Sequence, residues 1–257
     1  MSSLITLTTD FTSGEPDVAV LKGRILRRAP DAQFIDVNHD IPLKNTLAAA
    51  YHLRKILNEF PAGTIHVVDV DAEPVPDKIF LVAFQKGEWI VTADNGIIWL
   101  ALNDFPEKLF SFMFQMQPGV SDDPVSEIGG RLAAGELPES FLSPSTKLKQ
   151  SILQNPIPGP DFIRGNVIYI DGLGNTITNI DRELFERVRS GRKFLLHIRH
   201  DLSTGRINHF YEETKPGNML CRFNKIGLLE IAINSGNAAK LIGLSSGGNI
   251  QVEFIGG

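Results

Sequence analysis

Most marks of a secreted, membrane-bound or nucleic-acid-binding protein are missing from this chain. It has one cysteine, Cys221, in 257 residues, so no internal disulfide can form. Cys221 lies between Leu220 and Arg222 with no partner motif, and it reads as a small buried hydrophobe. No apolar run reaches the ~18 residues that a bilayer span needs. The opening MSSLITLTTD has neither a basic region nor a long apolar one, so no signal peptide is expected and the expected location is the cytoplasm. Basic residues are the minority: 25 Lys and Arg against 30 Asp and Glu leave a net charge of -5. That balance speaks against nucleic acid or an anionic membrane as a partner. Phosphate cradles are missing as well, since no Gly-x-Gly-x-x-Gly or Gly-Lys-Ser/Thr follows a strand-like run. The six histidines show no paired ligand spacing, and there is no Gly-x-Ser-x-Gly elbow. Neither a bound cofactor nor a metal is expected.

What is present is an ordinary globular balance, with 42% hydrophobic and 21% charged residues. The first half alternates strand and helix patterns. Leu4 to Thr9, Phe34 to Val37, Thr64 to Val70, Ile79 to Phe84 and Trp89 to Thr92 read as strands. A helix follows Pro16, with Val18, Leu21 and Ile25 at helical spacing. A second helix is predicted over Thr46 to Phe60 and a third over Val125 to Ala134. After the proline-rich stretch Gln154 to Pro160 the pattern changes. Short strand runs follow at Gly165 to Ile170, Thr176 to Asn179, Phe194 to Arg199, Arg206 to Phe210, Leu228 to Ile233 and Ile250 to Phe254. One helix, Arg182 to Arg189, stands among them behind the N-cap Asp181. The expected fold is an α/β N-terminal domain with a mostly parallel sheet, residues 1–153, a linker over 154–162, and a smaller antiparallel β-barrel-like domain over 163–257.

Carboxylates and amides recur where such a sheet would bind a ligand, beyond the carboxyl ends of its strands. Asp10 ends the first run, Asn38-His39-Asp40 the second, Asp69-Val70-Asp71 the third and Asp94-Asn95-Gly96 a later one. Such residues can hold sugar hydroxyls, a metal, or a proton in transit. They also serve as helix caps and Asx turns. The second half adds Asp171-Gly172-Leu173-Gly174-Asn175, which by itself is a hairpin turn.

Together six segments resemble one family: TLTTDFTSGEPDVAVLKG, DAQFIDVNHDIP, FPAGTIHVVDVD, TADNGI, VIYIDGLGNTITNI and GLLEIAINSGNAA. Their order and spacing are similar to those of the adenosine-forming S-adenosylmethionine hydrolases and the related adenosyl fluorinase and chlorinase. The resemblance implies a homotrimer with each site between one subunit's N-terminal domain and the next one's C-terminal domain. It implies that Asp10 holds both ribose hydroxyls, which a carboxylate with two oxygens can do. Asp17 falls at a variable pocket position, and Asn95 sits in a matching turn. Asp171 and Asn175 match the pair that grips the methionine ammonium and the adenine region, and Tyr211 aligns with an aromatic that stacks on adenine.

The family's water-handling Asp-Arg-His set carries over unevenly. Its Asp aligns with Asp71 and its Arg position falls on Lys78, while the segment Gln117 to Asp123 has no His. The implied reaction is hydrolysis of S-adenosylmethionine to adenosine and methionine, by attack of water at C5' of the ribose. S-adenosylmethionine enters as a substrate, and no cofactor is implied. Asp71 and Lys78 are the candidate catalytic pair. Asp10, Asp17, Asn95, Asp171, Asn175 and Tyr211 are the candidate substrate contacts. The alternative is a protein that binds an adenosyl or nucleoside compound without turnover, or with altered specificity. Halide attack is disfavoured because Asp71 would repel an anion.

Overall fold

A run of β-branched and apolar residues, Leu4–Thr9, forms the first strand, β1, and is buried along nearly its whole length. The computed structural model describes residues 3–116, 123–150, 155–199 and 202–256. The chain divides into two compact units, Met1–Ser151 and Ile152–Gly257.

In the first unit β1 is followed by α1 (Asp17–Arg28), β2 (Gln33–Asn38), α2 (Thr46–Ile56), β3 (Ile65–Asp69), β4 (Ile79–Gln85) and β5 (Glu88–Ala93). Then come α3 (Ile97–Leu102), β6 (Lys108–Met113), α4 (Pro124–Ala133) and β7 (Ser143–Pro144). The sheet order is β2-β1-β3-β5-β4-β6-β7. The pairs β1–β2, β1–β3 and β3–β5 are parallel, and β4 onward adds antiparallel strands. The carboxyl ends of β1, β2 and β3 therefore open on one edge, and the loops after them can meet. Leu21 and Ile25 of α1 and Val125, Ile128 and Leu132 of α4 pack into one core with Val67 of β3. Asp17 in the first turn of α1 and Arg27 and Arg28 in its last complement the helix dipole.

Helix α2 stops four residues before the predicted end at Phe60. Leu57 turns to ψ 134° and Asn58 to φ 66°. The Asn58 N–H donates to Glu88 Oε2 at 2.8 Å instead of continuing the helix. In this unit α3, β6 and β7 were not anticipated. Helix α3 is wholly apolar, so no amphipathic period reveals it.

The second unit holds β8 (Ile157–Pro158), β9 (Phe162–Ile170), β10 (Thr176–Asp181), α5 (Arg182–Arg189), β11 (Lys193–Arg199) and β12 (Leu202–Thr204). It continues with β13 (Met219–Phe223), β14 (Leu228–Ile233), α6 (Ala238–Ile242) and β15 (Asn249–Ile255). Of these, β8, β12 and β13 were not anticipated. All its pairings are antiparallel, in the order β12-β11-β15-β9-β10-β14-β13 with β8 added to β9. The sheet is barrel-like and nearly closed. Phe185 of α5 plugs its core, edge-on to Phe194, Phe223 and Phe254 at centroid distances of 5.1, 5.3 and 5.5 Å. Cys221 is fully buried in β13, and burial pushes its thiol up to about 12.

The strand expected over Arg206 to Phe210 does not form. That stretch is irregular and leads into a 3₁₀ turn, Tyr211–Glu213. Glu213 is the reason. Its Oε1 accepts the backbone N–H groups of His209 and Phe210, at 2.7 and 3.0 Å, which a strand would have given to a neighbour. No helix among the described residues is long and apolar enough to cross a membrane.

Candidate active site

The loops after β1, β2 and β3 enclose a cavity of ≈ 410 Å³ in the first unit. Among the described residues Asp10, Asp17, Asp69, Asp71, Glu73 and Asp123 line it, against two cations, Arg24 and Lys44. A site so charged favours a cationic ligand.

Asp10 sits just past β1 and organises the loops. Its Oδ2 accepts the backbone N–H of Lys44 at 2.9 Å and of Asp71 at 3.2 Å. Its own N–H donates to the Asp69 carbonyl at 3.3 Å. Oδ1 has no partner among the described residues. Lys44 and Asp71 both adopt left-handed backbone conformations, with φ of 58° and 47°. Strain of this kind, ~1–3 kcal/mol per residue, persists only where neighbours enforce it, and Asp10 is that neighbour.

Asp69, the last residue of β3, forms the buried floor of the cavity. Its carboxyl accepts no hydrogen bond among the described residues. Burial raises its pKa to about 8, the charges of Asp123 and Asp10 add to the rise, and Lys78 opposes it. Asp69 is not in the catalytic pair that the resemblance singles out, Asp71 and Lys78. The available signal was the strand itself: a carboxylate closing an apolar run is more deeply set than one two residues later.

Asp71 stands at the rim, about one-third exposed, with Lys44 Nζ 3.9 Å from its Oδ1. Such an exposed pair contributes at most ~1 kcal/mol. Lys78 Nζ donates to the Asp71 carbonyl at 2.8 Å and so braces the loop. Asn95 Nδ2 donates to the Val70 carbonyl at 2.8 Å, while its Oδ1 accepts the Ile97 N–H and starts α3. Lys78 and Asn95 stand behind the cavity wall, whereas Asp10, Asp17 and Asp71 are on it. Asp40 is engaged elsewhere, accepting from Ser13 N–H and Oγ. Of the segment with no histidine, Gln117 to Asp122 lies outside the described residues.

The remaining candidates lie in the second unit. Asp171 Oδ1 accepts the N–H groups of Leu173 and Asn175, and Oδ2 accepts Asn175 Nδ2 at 2.9 Å. The pair therefore braces the β9–β10 hairpin. Tyr211 donates its hydroxyl to Glu230 Oε1 at 2.7 Å, and Arg222 lies 5.3 Å from its ring centroid. Burial and the Glu230 carboxylate hold the Tyr211 hydroxyl above its ordinary pKa, with a further contribution from Asp171. Asp171, Asn175 and Tyr211 thus form one neighbourhood, and Asp10, Asp17 and Asp71 another.

Known proteins match both units. Residues 5–124 fit the model of the SAM hydroxide adenosyltransferase N-terminal domain, and residues 165–251 fit that of its C-terminal domain. A protein of Methanocaldococcus jannaschii named (R)-S-adenosyl-L-methionine hydrolase is 28% identical, over 98% of this chain and 96% of its own. A Thermus thermophilus protein of the same name is also 28% identical, over 93% and 95%. Among solved structures, an uncharacterized conserved protein from Thermotoga maritima superposes with a TM-score of 0.82 at 22% identity, covering 96% of this chain and 99% of that one. With both units matched in order and almost the whole chain aligned, this protein belongs to the SAM hydroxide adenosyltransferase family.

Proposed function

We propose that the protein hydrolyses S-adenosyl-L-methionine to adenosine and L-methionine. The observation that carries this reading is the buried, unpaired Asp69 on the floor of an acidic cavity, beside Asp10. The substrate carries a sulfonium and an ammonium, and the cavity's carboxylates complement both charges. The names of the relatives point to the same substrate.

Asp10 offers Oδ1 to the ribose hydroxyls, while Oδ2 keeps the surrounding loops in place. Asp69 is protonated at rest near neutral pH. An incoming sulfonium stabilises the ionised form and lowers its pKa, so substrate binding sends the Asp69 proton to solvent and leaves the carboxylate as the base. Water then attacks C5', the C5'–S bond breaks, and methionine leaves as a neutral thioether. Asp69 takes the proton released by the water. The leaving group needs no proton, so no general acid is required. Lys78 fixes the loop that carries Asp71 and limits the pKa of Asp69. Asp71 and Asp17 act at the rim. Asp171, Asn175 and Tyr211 supply the methionine and adenine contacts in a homotrimer whose sites are shared between neighbouring subunits.

Purified protein incubated with S-adenosylmethionine, with and without chloride, and followed by chromatography tests the assignment. Adenosine and methionine are expected in both conditions. A 5'-chloro product, or no product, overturns it. Asp10→Ala should abolish substrate binding by calorimetry, and retained affinity would remove Asp10 from the ribose.

A further inference from the structure

A second cavity, of ≈ 380 Å³, lies wholly within the C-terminal unit, and its charge is the reverse of the first. One face of α5 and the irregular segment 205–209 form its wall. Arg182, Arg189 and Arg206 line it, with His209 beside them and the rings of Phe194 and Phe223 as its apolar part. Glu186 is the acid on the wall, and Arg189 Nη1 meets it at 3.4 Å. Arg206 gives one nitrogen to Glu213 at 2.6 Å. Arg182 has no acidic partner among the described residues.

The guanidiniums are held for use. Arg182 stacks 5.0 Å from the Phe223 ring centroid, and Arg189 stacks 5.4 Å from that of Phe194. A stacked guanidinium keeps its plane against the ring and can turn its remaining N–H groups to an oxyanion. Arg189 already gives Nε to the Arg192 carbonyl at 2.9 Å, so Arg182 is the freer of the two. Of the three arginines on the cavity, Arg189 and Arg206 are each paired with a carboxylate, and Arg182 carries the charge left for an anion. The volume is at the lower end of the range of small-molecule sites, ~300–1,000 Å³.

We propose that this cavity binds a small phosphate ester, its phosphate on the N–H edges of the arginines and its body against Phe194, Phe223 and Ile207. Arg182 supplies the unpaired charge. The acidic cavity is lined by residues of the other unit, and its carboxylates repel anions.

Calorimetry on the full chain with phenyl phosphate, and in parallel with inorganic phosphate, tests this. Neither probe carries a sugar or a base, so neither imitates adenosine. Phenyl phosphate should bind once per chain and more tightly than inorganic phosphate. Arg182→Gln and Arg206→Gln should each weaken it about tenfold, as the loss of one charge-assisted pair does. Glu186→Gln should strengthen it, and Asp10→Ala should leave it unchanged. Both arginines are exposed, so the variants should keep the wild-type melting temperature, which verifies folding. Absence of binding, equal affinity for the two probes, or affinity unchanged in both arginine variants would each overturn the proposal.

Discussion

Asp69 combines two properties that oppose each other. In the proposed mechanism it takes the proton from water, and its burial opposes the ionisation that this role needs. Its folded pKa, about 8, lies above the ordinary 3.8. The native state therefore binds this proton more tightly than the unfolded state does. Below pH ~4 both states are protonated and Asp69 costs nothing. As pH rises towards 8, only the unfolded chain ionises and stability is lost, to a limit of ~6 kcal/mol. Asparagine is neutral throughout, so Asp69→Asn should melt at least ~3 °C higher than wild type at pH 8.5 and level with it at pH 4. The same variant should lose turnover. Normal turnover in this variant would remove Asp69 from the mechanism, whatever its melting temperature. In the wild type, kcat/KM should rise with pH through an inflection near 8, because that ratio reports the free enzyme. A profile flat from pH 6 to 9 would mean that no such carboxyl acts. The sequence marks Asp69 as the more deeply set carboxylate of the Asp69-Val70-Asp71 triplet, because it closes the apolar run, but not how far its pKa rises, since that depends on which loops close over the strand end.

Elements with their own local signals were legible. β1, β14 and α5 with its Asp181 cap occupy the residues their patterns predicted. Where a distant side chain captures the backbone, the pattern misleads. Glu88 takes the N–H that α2 needed, and Glu213 takes those a strand at 206–210 needed. Neither event leaves a trace in local periodicity. Gly165 in β9 is a contrasting case in which an unremarkable glycine is essential. A Cβ there would lie 2.5 Å from both Ile180 Cγ1 and Asn179 Oδ1, and that oxygen already accepts the Asn166 N–H. Gly165→Ala should therefore cost ~1–3 kcal/mol and lower the melting temperature by several degrees. An unchanged melting temperature would show that β9 shifts freely against β10.

For the molecule as a whole, residue patterns place the candidates in two units, and only the family resemblance says how a complete site is assembled from them. Asp10 and Asp69 belong to the first unit, Asp171, Asn175 and Tyr211 to the second. The proposed trimer makes each site from the first unit of one subunit and the second unit of its neighbour. That arrangement has an arithmetic consequence. Asp10→Ala and Asp171→Ala, each inactive alone, damage opposite halves of the site. In trimers mixed at random, a site is intact when an Asp171→Ala subunit supplies the first unit and an Asp10→Ala subunit the second. Unfolding the two variants together and refolding them at equal concentration should then restore roughly a quarter of wild-type activity. If each site were built within a single subunit, mixing would restore nothing, because every site would carry one lesion. Asp171 also braces its hairpin, so the melting temperature of the Asp171→Ala protein must be checked before mixing. Recovered activity with a folded variant would establish shared sites, and its absence would confine each site to one chain.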